Sequence, residues 1–341
     1  MSLLYWFESV RTPVLDTLMS LVTHLGEETF FMAAALFVFW CVDKRRGYYL
    51  LSVGFAGTLI NQWLKIVCRV PRPWVRDPQF TIVQSARAEA AGYSFPSGHT
   101  QSAVGWMGGT ARFTRRIWLQ VVCVALLVLV SVSRMYLGVH TPADVGVSFV
   151  IAAVLVFALY PLIESTLWFP HRMYIILGVM LAFSYAFVGF MELYPFPADV
   201  DPENLADAMK NAWSMAGAVE GMLLVCVFDN RVLRFPTRAP WWGQLVKLLG
   251  GLLLVLLVKT LLKEPLLFLC GGSGAAHAIR YFLIVLTAGI AWPMTFPFFA
   301  RYARCDAKNS RIPLLPFSVN GGIIGTWRHR SLKCVRRYYC G

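Results

Sequence analysis

The feature that most limits the possible folds is a series of long apolar runs, separated by short clusters of charge or proline. A helix that crosses a bilayer needs about 20 mostly apolar residues, because hydrocarbon offers no partner for a backbone N–H or C=O. Nine segments fit this pattern: 26–42, 48–67, 98–113, 117–138, 142–162, 173–194, 212–228, 243–262 and 279–300. The third is the least apolar. It holds Thr100, Gln101 and Ser102 together with Gly105, Gly108 and Gly109. Small residues let helices approach closely, so this segment is expected inside the bundle, shielded from lipid. Only 14% of the 341 residues are charged, against about 25% in soluble domains, which excludes a soluble protein. The expected fold is all-α, a polytopic membrane helix bundle. Residues 1–25 read as an amphipathic segment lying along the interface. Glu8, Arg11 and Asp16 break any signal-peptide core there.

The net charge is +13, and its distribution matters more than its size. Basic clusters follow the first, third, fifth, seventh and ninth segments: Lys44/Arg45/Arg46, Arg115/Arg116, Arg172, Arg231/Arg234/Arg238 and Arg301/Arg304/Lys308/Arg311. The connection after the sixth is acidic, with Asp199, Asp201, Glu203 and Asp207. The positive-inside rule then puts the N-terminus outside and the C-terminus inside. Short basic clusters beside apolar runs suit anionic lipid headgroups, not nucleic acid. The eight cysteines show no metal-ligand spacing; most read as small buried hydrophobes. Cys68 and Cys270 both fall at the outer side, where a disulfide is compatible with the layout. Glu220, inside the seventh segment, reads either as a functional carboxylate or as a protonated one bonded to a neighbouring helix. No Asn-x-Ser/Thr sequon occurs.

Three short pieces carry the chemistry. Lys65 to Pro73 reads K-I-V-C-R-V-P-R-P, Pro96 to His99 reads P-S-G-H, and Ser133 to Asp144 reads S-R-M-Y-L-G-V-H-T-P-A-D. The assigned topology puts all three at one membrane face. His140 and Asp144, four apart, share a helix face, so the carboxylate can hold one ring N–H and leave the other nitrogen basic. Pro142 suits a first helical turn. Ser97 and Gly98 open a helix, where a hydroxyl, close backbone approach and unpaired N–H groups suit an anion. Pro71 and Pro73 end the helix around Arg72 and aim its side chain. Arg69 and Arg76 are further candidate headgroup contacts, while Arg87 and Glu89 either pair or face substrate.

In order and spacing these pieces match K-x6-R-P, P-S-G-H and S-R-x5-H-x3-D, and the chain resembles the type 2 phosphatidic acid phosphatase superfamily. The resemblance implies a six-helix phosphatase core at 26–194, followed by a three-span extension at 195–300 and a cytoplasmic tail at 301–341. It implies His140 as nucleophile forming a phosphohistidine, His99 as general acid and then base, and Asp144 as the residue that orients His140. Lys65, Arg72, Ser97, Gly98 and Arg134 would bind phosphate. No metal and no cofactor are expected. The substrate class is a lipid phosphate or diphosphate, with membrane lipids as surroundings and no nucleic-acid partner. Phosphotransfer to a lipid hydroxyl, a sugar phosphatase resembling glucose-6-phosphatase, and a non-enzymatic lipid transporter are the alternatives. The expected location is a bacterial plasma membrane with the site facing the extracytoplasmic side, or the endoplasmic reticulum with a lumenal site. These residues leave the oligomeric state open.

Overall fold

The computed structural model describes residues 1–87, 90–164 and 169–309, and those residues form helices and connecting turns without a strand. Two short helices, α1 (Ser2–Ser9) and α2 (Pro13–Thr23), precede α3 (Glu28–Phe37), which runs on through a π-turn to Val42. The central helix is α4 (Lys44–Cys68). Asp43 caps its start by accepting from the Arg46 N–H at 3.1 Å. Its end is set by Arg69, in the left-handed region at φ +48°, with Pro71 and Pro73 beyond. A single turn, α5 (Pro73–Arg76), leads into the loop that carries P-S-G-H.

The third expected segment is helical from Gly98 to Phe113, as α6 (Gly98–Ala103), a π-turn and α7 (Gly109–Phe113). At 1.5 Å per residue it is about 24 Å long, short of a hydrocarbon core of about 30 Å. It still runs end to end. His99 stands at the motif face, and at the other end the Arg46 guanidinium lies 5.2 Å from the Phe113 ring. Thr100, Gln101 and Ser102 are buried, as its polar composition requires. Then follow α8 (Ile117–Tyr136), α9 (Pro142–Glu164), α10 (Phe169–Leu193) and α11 (Pro202–Phe228), and then α12 (Trp241–Leu261), α13 (Lys263–Leu269), α14 (Gly274–Leu286) and α15 (Phe296–Asn309).

Among the described residues seven stretches, not nine, are long and apolar enough to span a membrane. The pair Pro13–Gly26 and Glu28–Val42, bent by 51°, makes an eighth if it is one span. The shortfall has two causes: the 98–113 segment is short and polar, and the first segment begins at the bend, which leaves only Glu28–Val42 beyond it. Both ends of α2 touch the motif face, through Arg11 to the Tyr136 carbonyl and through Thr23 to Arg134. The helix therefore lies across that face, with α3 descending from it.

One apolar cluster links α3, α4, α10 and α11. The last helices join it because α11 packs along α10 on one side and α14 on the other. At the far end Lys44 pairs with Asp229 at 3.1 Å, tying the start of α4 to the end of α11. Cys68 and Cys270 carry free thiols, so the compatible disulfide is not formed. Glu220 accepts from the Tyr185 hydroxyl of α10 at 2.8 Å, which fits the neighbouring-helix reading. Glu89 and residues 310–341 of the expected tail lie outside the described residues, while its first residues, 301–309, belong to α15.

Candidate active site

Four helix ends converge on one face: the end of α4, the start of α6, the end of α8 and the start of α9. His140 sits in the turn between α8 and α9, fully buried. Its backbone N–H and that of Val139 both donate to the Arg134 carbonyl at 3.2 Å. Arg134 thus fixes the histidine backbone as well as supplying a charge. The His140 Nδ1 lies 3.5 Å from Asp144 Oδ2. That oxygen is itself held, accepting from Ser94 Oγ at 2.6 Å and from the Thr141 N–H at 2.7 Å. On the other side of the ring, Nε2 lies 3.0 Å from Arg72 Nη1. The imidazole lies between a carboxylate and a guanidinium, and the Ser94 hydroxyl also stands 3.5 Å from Nδ1.

Arg72 is held by three backbone carbonyls. It donates to Gly92 at 3.0 Å, Ala91 at 2.7 Å and Val139 at 3.0 Å. Lys65 donates to the Tyr93 carbonyl at 2.6 Å. The stretch just before P-S-G-H is therefore folded onto the two cations, and its register is locked by the Ser94 N–H donating to the Val70 carbonyl at 2.8 Å. Arg134 is fully buried and donates to Thr23 Oγ1 at 2.6 Å.

Ser97 caps the P-S-G-H helix. Its Oγ accepts from the Thr100 N–H at 3.4 Å, while its own N–H donates to the Asp144 carbonyl at 3.2 Å, joining α6 to α9. A side chain built at Gly98 would meet nothing within 4 Å, so the helix start opens onto free space where an anion can approach the backbone. The opposite holds at Gly26, in the α2–α3 bend. A Cβ there would stand 2.8 Å from the His99 carbonyl, so the bend presses directly on the P-S-G-H turn.

Burial holds the His140 imidazole well below the usual histidine range, and the charges of Arg72, Arg134 and Lys65 push the same way. Both effects favour the neutral ring, which carries a lone pair. The structure brings together Lys65, Arg72, Ser97, Gly98, His99, Arg134, His140 and Asp144. It leaves Arg76 and Arg87 exposed, with Arg69 spent on ending α4. Sequence reasoning missed Ser94, Thr23 and Gly26. Ser94 stands two residues before P-S-G-H, but nothing in the spacing marks it.

This arrangement defines a class: a helical membrane protein with Lys65, Arg72 and Arg134 gathered around a buried histidine. A family model described as the PAP2 superfamily matches residues 45–168, and one described as the PAP2 superfamily phosphatase transmembrane extension matches residues 213–304. Undecaprenyl-diphosphatase BcrC of Bacillus subtilis (strain 168) is 30% identical over 154 residues, 45% of this chain and 77% of that protein. Phosphatidylglycerophosphatase B of the same organism is 27% identical over 163 residues, 43% of this chain and 75% of its own length. Sphingosine-1-phosphate phosphatase 1 of Rattus norvegicus is 24% identical over 262 residues, 71% of this chain and 58% of that protein. No solved structure matches. The chain belongs to the PAP2 superfamily, a family of lipid phosphate phosphatases, and it carries that family's transmembrane extension.

Proposed function

We propose that this chain hydrolyses the phosphate ester of a membrane lipid through a phosphohistidine on His140. The observation that carries this reading is the clamp on His140, with Asp144 on one ring nitrogen and Arg72 on the other. Asp144 keeps the proton on Nδ1, so the lone pair belongs to Nε2. As substrate enters, the Arg72 N–H turns from Nε2 to a phosphate oxygen. Nε2 attacks phosphorus and the P–O bond to the lipid breaks; His99, whose protonation burial, Arg134, Arg72 and Lys65 oppose in the free site, takes up a proton as the bound phosphate offsets those charges and gives it to the leaving oxygen. Water then attacks the phosphohistidine and passes a proton to His99, releasing inorganic phosphate and restoring both histidines. Lys65, Arg72 and Arg134 stabilise the added negative charge, with Ser97 and the backbone at Gly98 completing the cradle. The relatives' names support a lipid phosphate or diphosphate as substrate, and the basic ends opposite the motif face support a site on the extracytoplasmic or lumenal side.

The test is phosphate release from a panel of lipid phosphates in detergent with EDTA present, comparing wild type with His140→Ala. Turnover by wild type, loss in His140→Ala and inhibition by orthovanadate are expected. Wild-type turnover by a folded His140→Ala protein, or activity that needs added Mg²⁺, would overturn the reading.

A further inference from the structure

Two cavities meet inside the bundle. A small one of about 160 Å³ opens beside Lys65, bounded by Gly92, Tyr93, Asn204 and Asp207. A larger one of about 340 Å³ lies between α3, α4, α11, α12 and α14. Gln62 and Asn211 line both, so the two adjoin along a path from Lys65 into the bundle interior.

The two facing walls show the same gradient. On α4, Lys65, Gln62, Thr58, Phe55 and Leu51 recur at spacings of three and four, and all line this path. On α11, Asp207, Asn211, Met215, Ala218 and Met222 do the same. Each stripe starts polar beside the phosphate site and turns apolar with depth. The α4 stripe is about 21 Å long at 1.5 Å per residue. A cavity of about 340 Å³ is at the low end for ligand pockets, and drawn out along such a stripe it is narrow.

We infer that the two cavities join as one passage that holds the substrate's tail, and that the C-terminal helices α11, α12 and α14 make the enzyme selective for lipid phosphates with a single unbranched alkyl chain. The inference rests on the phosphatase reading above. The polar first section suits a short hydroxyl- or amine-bearing linker, through Gln62, Asn204 and Asn211. The apolar second section suits the chain. Lipid is as apolar as the chamber, so the chamber adds little affinity over the bilayer and discriminates by shape. One chain fits the tube, whereas a two-chain glyceride keeps its tails outside.

The test uses the full chain in nanodiscs with hexadecyl phosphate, butyl phosphate and dipalmitoyl phosphatidic acid. Wild type is expected to favour hexadecyl phosphate over the two-chain lipid at least tenfold in kcat/KM. Ala218→Phe and Met222→Trp, which fill the chamber from α11, are expected to lower the hexadecyl-to-butyl ratio at least tenfold. A hexadecyl phosphate with a terminal diazirine, photolysed on wild type, should label Leu51–Phe55 or Met215–Val225, a readout that needs no variant to fold. Labelling confined to the lipid-facing surface, an unchanged ratio in both variants, or equal turnover of the two-chain lipid would overturn the inference. If butyl phosphate is still hydrolysed in those cases, the phosphatase reading survives. If none of the three esters releases phosphate, both fall.

Discussion

Arg72 Nη1 stands 3.0 Å from His140 Nε2 and 3.0 Å from the Val139 carbonyl, so one guanidinium nitrogen holds both the reactive ring and the backbone beside it. Its Nε and Nη2 reach the Gly92 and Ala91 carbonyls. Arg72 is therefore a structural tie as well as a charge beside the His140 ring.

An ammonium is a compact point charge and cannot reach all four partners from one planar fork. Arg72→Lys is expected to lower kcat/KM by about 10²–10³-fold, the range for losing one preorganised donor. Steady-state kinetics on a soluble phosphate ester would check this. A loss under threefold would mean that positive charge alone is enough.

The residues around His140 form a hierarchy. On the proposed mechanism His140→Ala should abolish turnover, because that residue would make the bond to phosphorus. Asp144→Asn should leave about 10⁻²–10⁻⁴ of the rate, since it only orients and charges the ring. Ser94 donates to the same Asp144 oxygen that faces the ring, and a hydrogen bond to a charged group is worth about 1.5–3 kcal/mol. Ser94→Ala is therefore expected to lose about tenfold or more in kcat with KM little changed, and Ser94→Thr to recover most of it. Equal losses in Ser94→Ala and Ser94→Thr would point to packing instead.

His140 should remain neutral as pH falls through the ordinary histidine range near 6.5, because burial and three cations depress its proton affinity. Removing one cation, as in Lys65→Gln, should move its titration to higher pH. NMR of ring-labelled histidine in the free protein separates this from the substrate's own ionisation. The sign for stability follows. Below about pH 6.5 the unfolded chain binds a proton that the native site refuses, so this residue's contribution is lost as pH falls. A His140 signal titrating at or above 6.5 in wild type would contradict the clamp.

The motif face is expected outside. Asp199, before α11, and Arg115, before α8, are both exposed and lie at opposite ends of the bundle. Asp201 is avoided because it caps α11, accepting from the Glu203 N–H at 2.8 Å. In a background whose native cysteines are silent, Asp199→Cys in intact cells should react with an impermeant thiol reagent and Arg115→Cys should not. The reverse pattern would put the chemistry in the cytoplasm.

Much of this was legible in residue order. The three motif pieces meet because each sits at a helix end that proline, a cap or charge marks in the sequence, and the i, i+4 relation of His140 to Asp144 follows from helical geometry. What remained hidden depends on tertiary approach. Ser94 matters only because its loop folds over α4 and delivers the hydroxyl to Asp144. Thr23 and Gly26 matter only because α2 bends at the motif face, and a bend with no proline in it leaves little trace in hydropathy. The 98–113 run was readable as interior, but its length against the bilayer, and the two cavities beside α4, arise from packing between segments far apart in the chain.

The approach of α11 to α14 has a mechanical consequence. A Cβ at Gly217 would lie 2.0 Å from the Ala278 carbonyl oxygen, so the two backbones touch with no side chain between them to slide or re-pack. Such a pair moves as one stiff plate. Any breathing that widens or narrows the interior cavity then falls to the walls outside that seam, α3, α4 and α12. Where α4 moves, Lys65 moves with it, leaving the α11–α14 seam at rest.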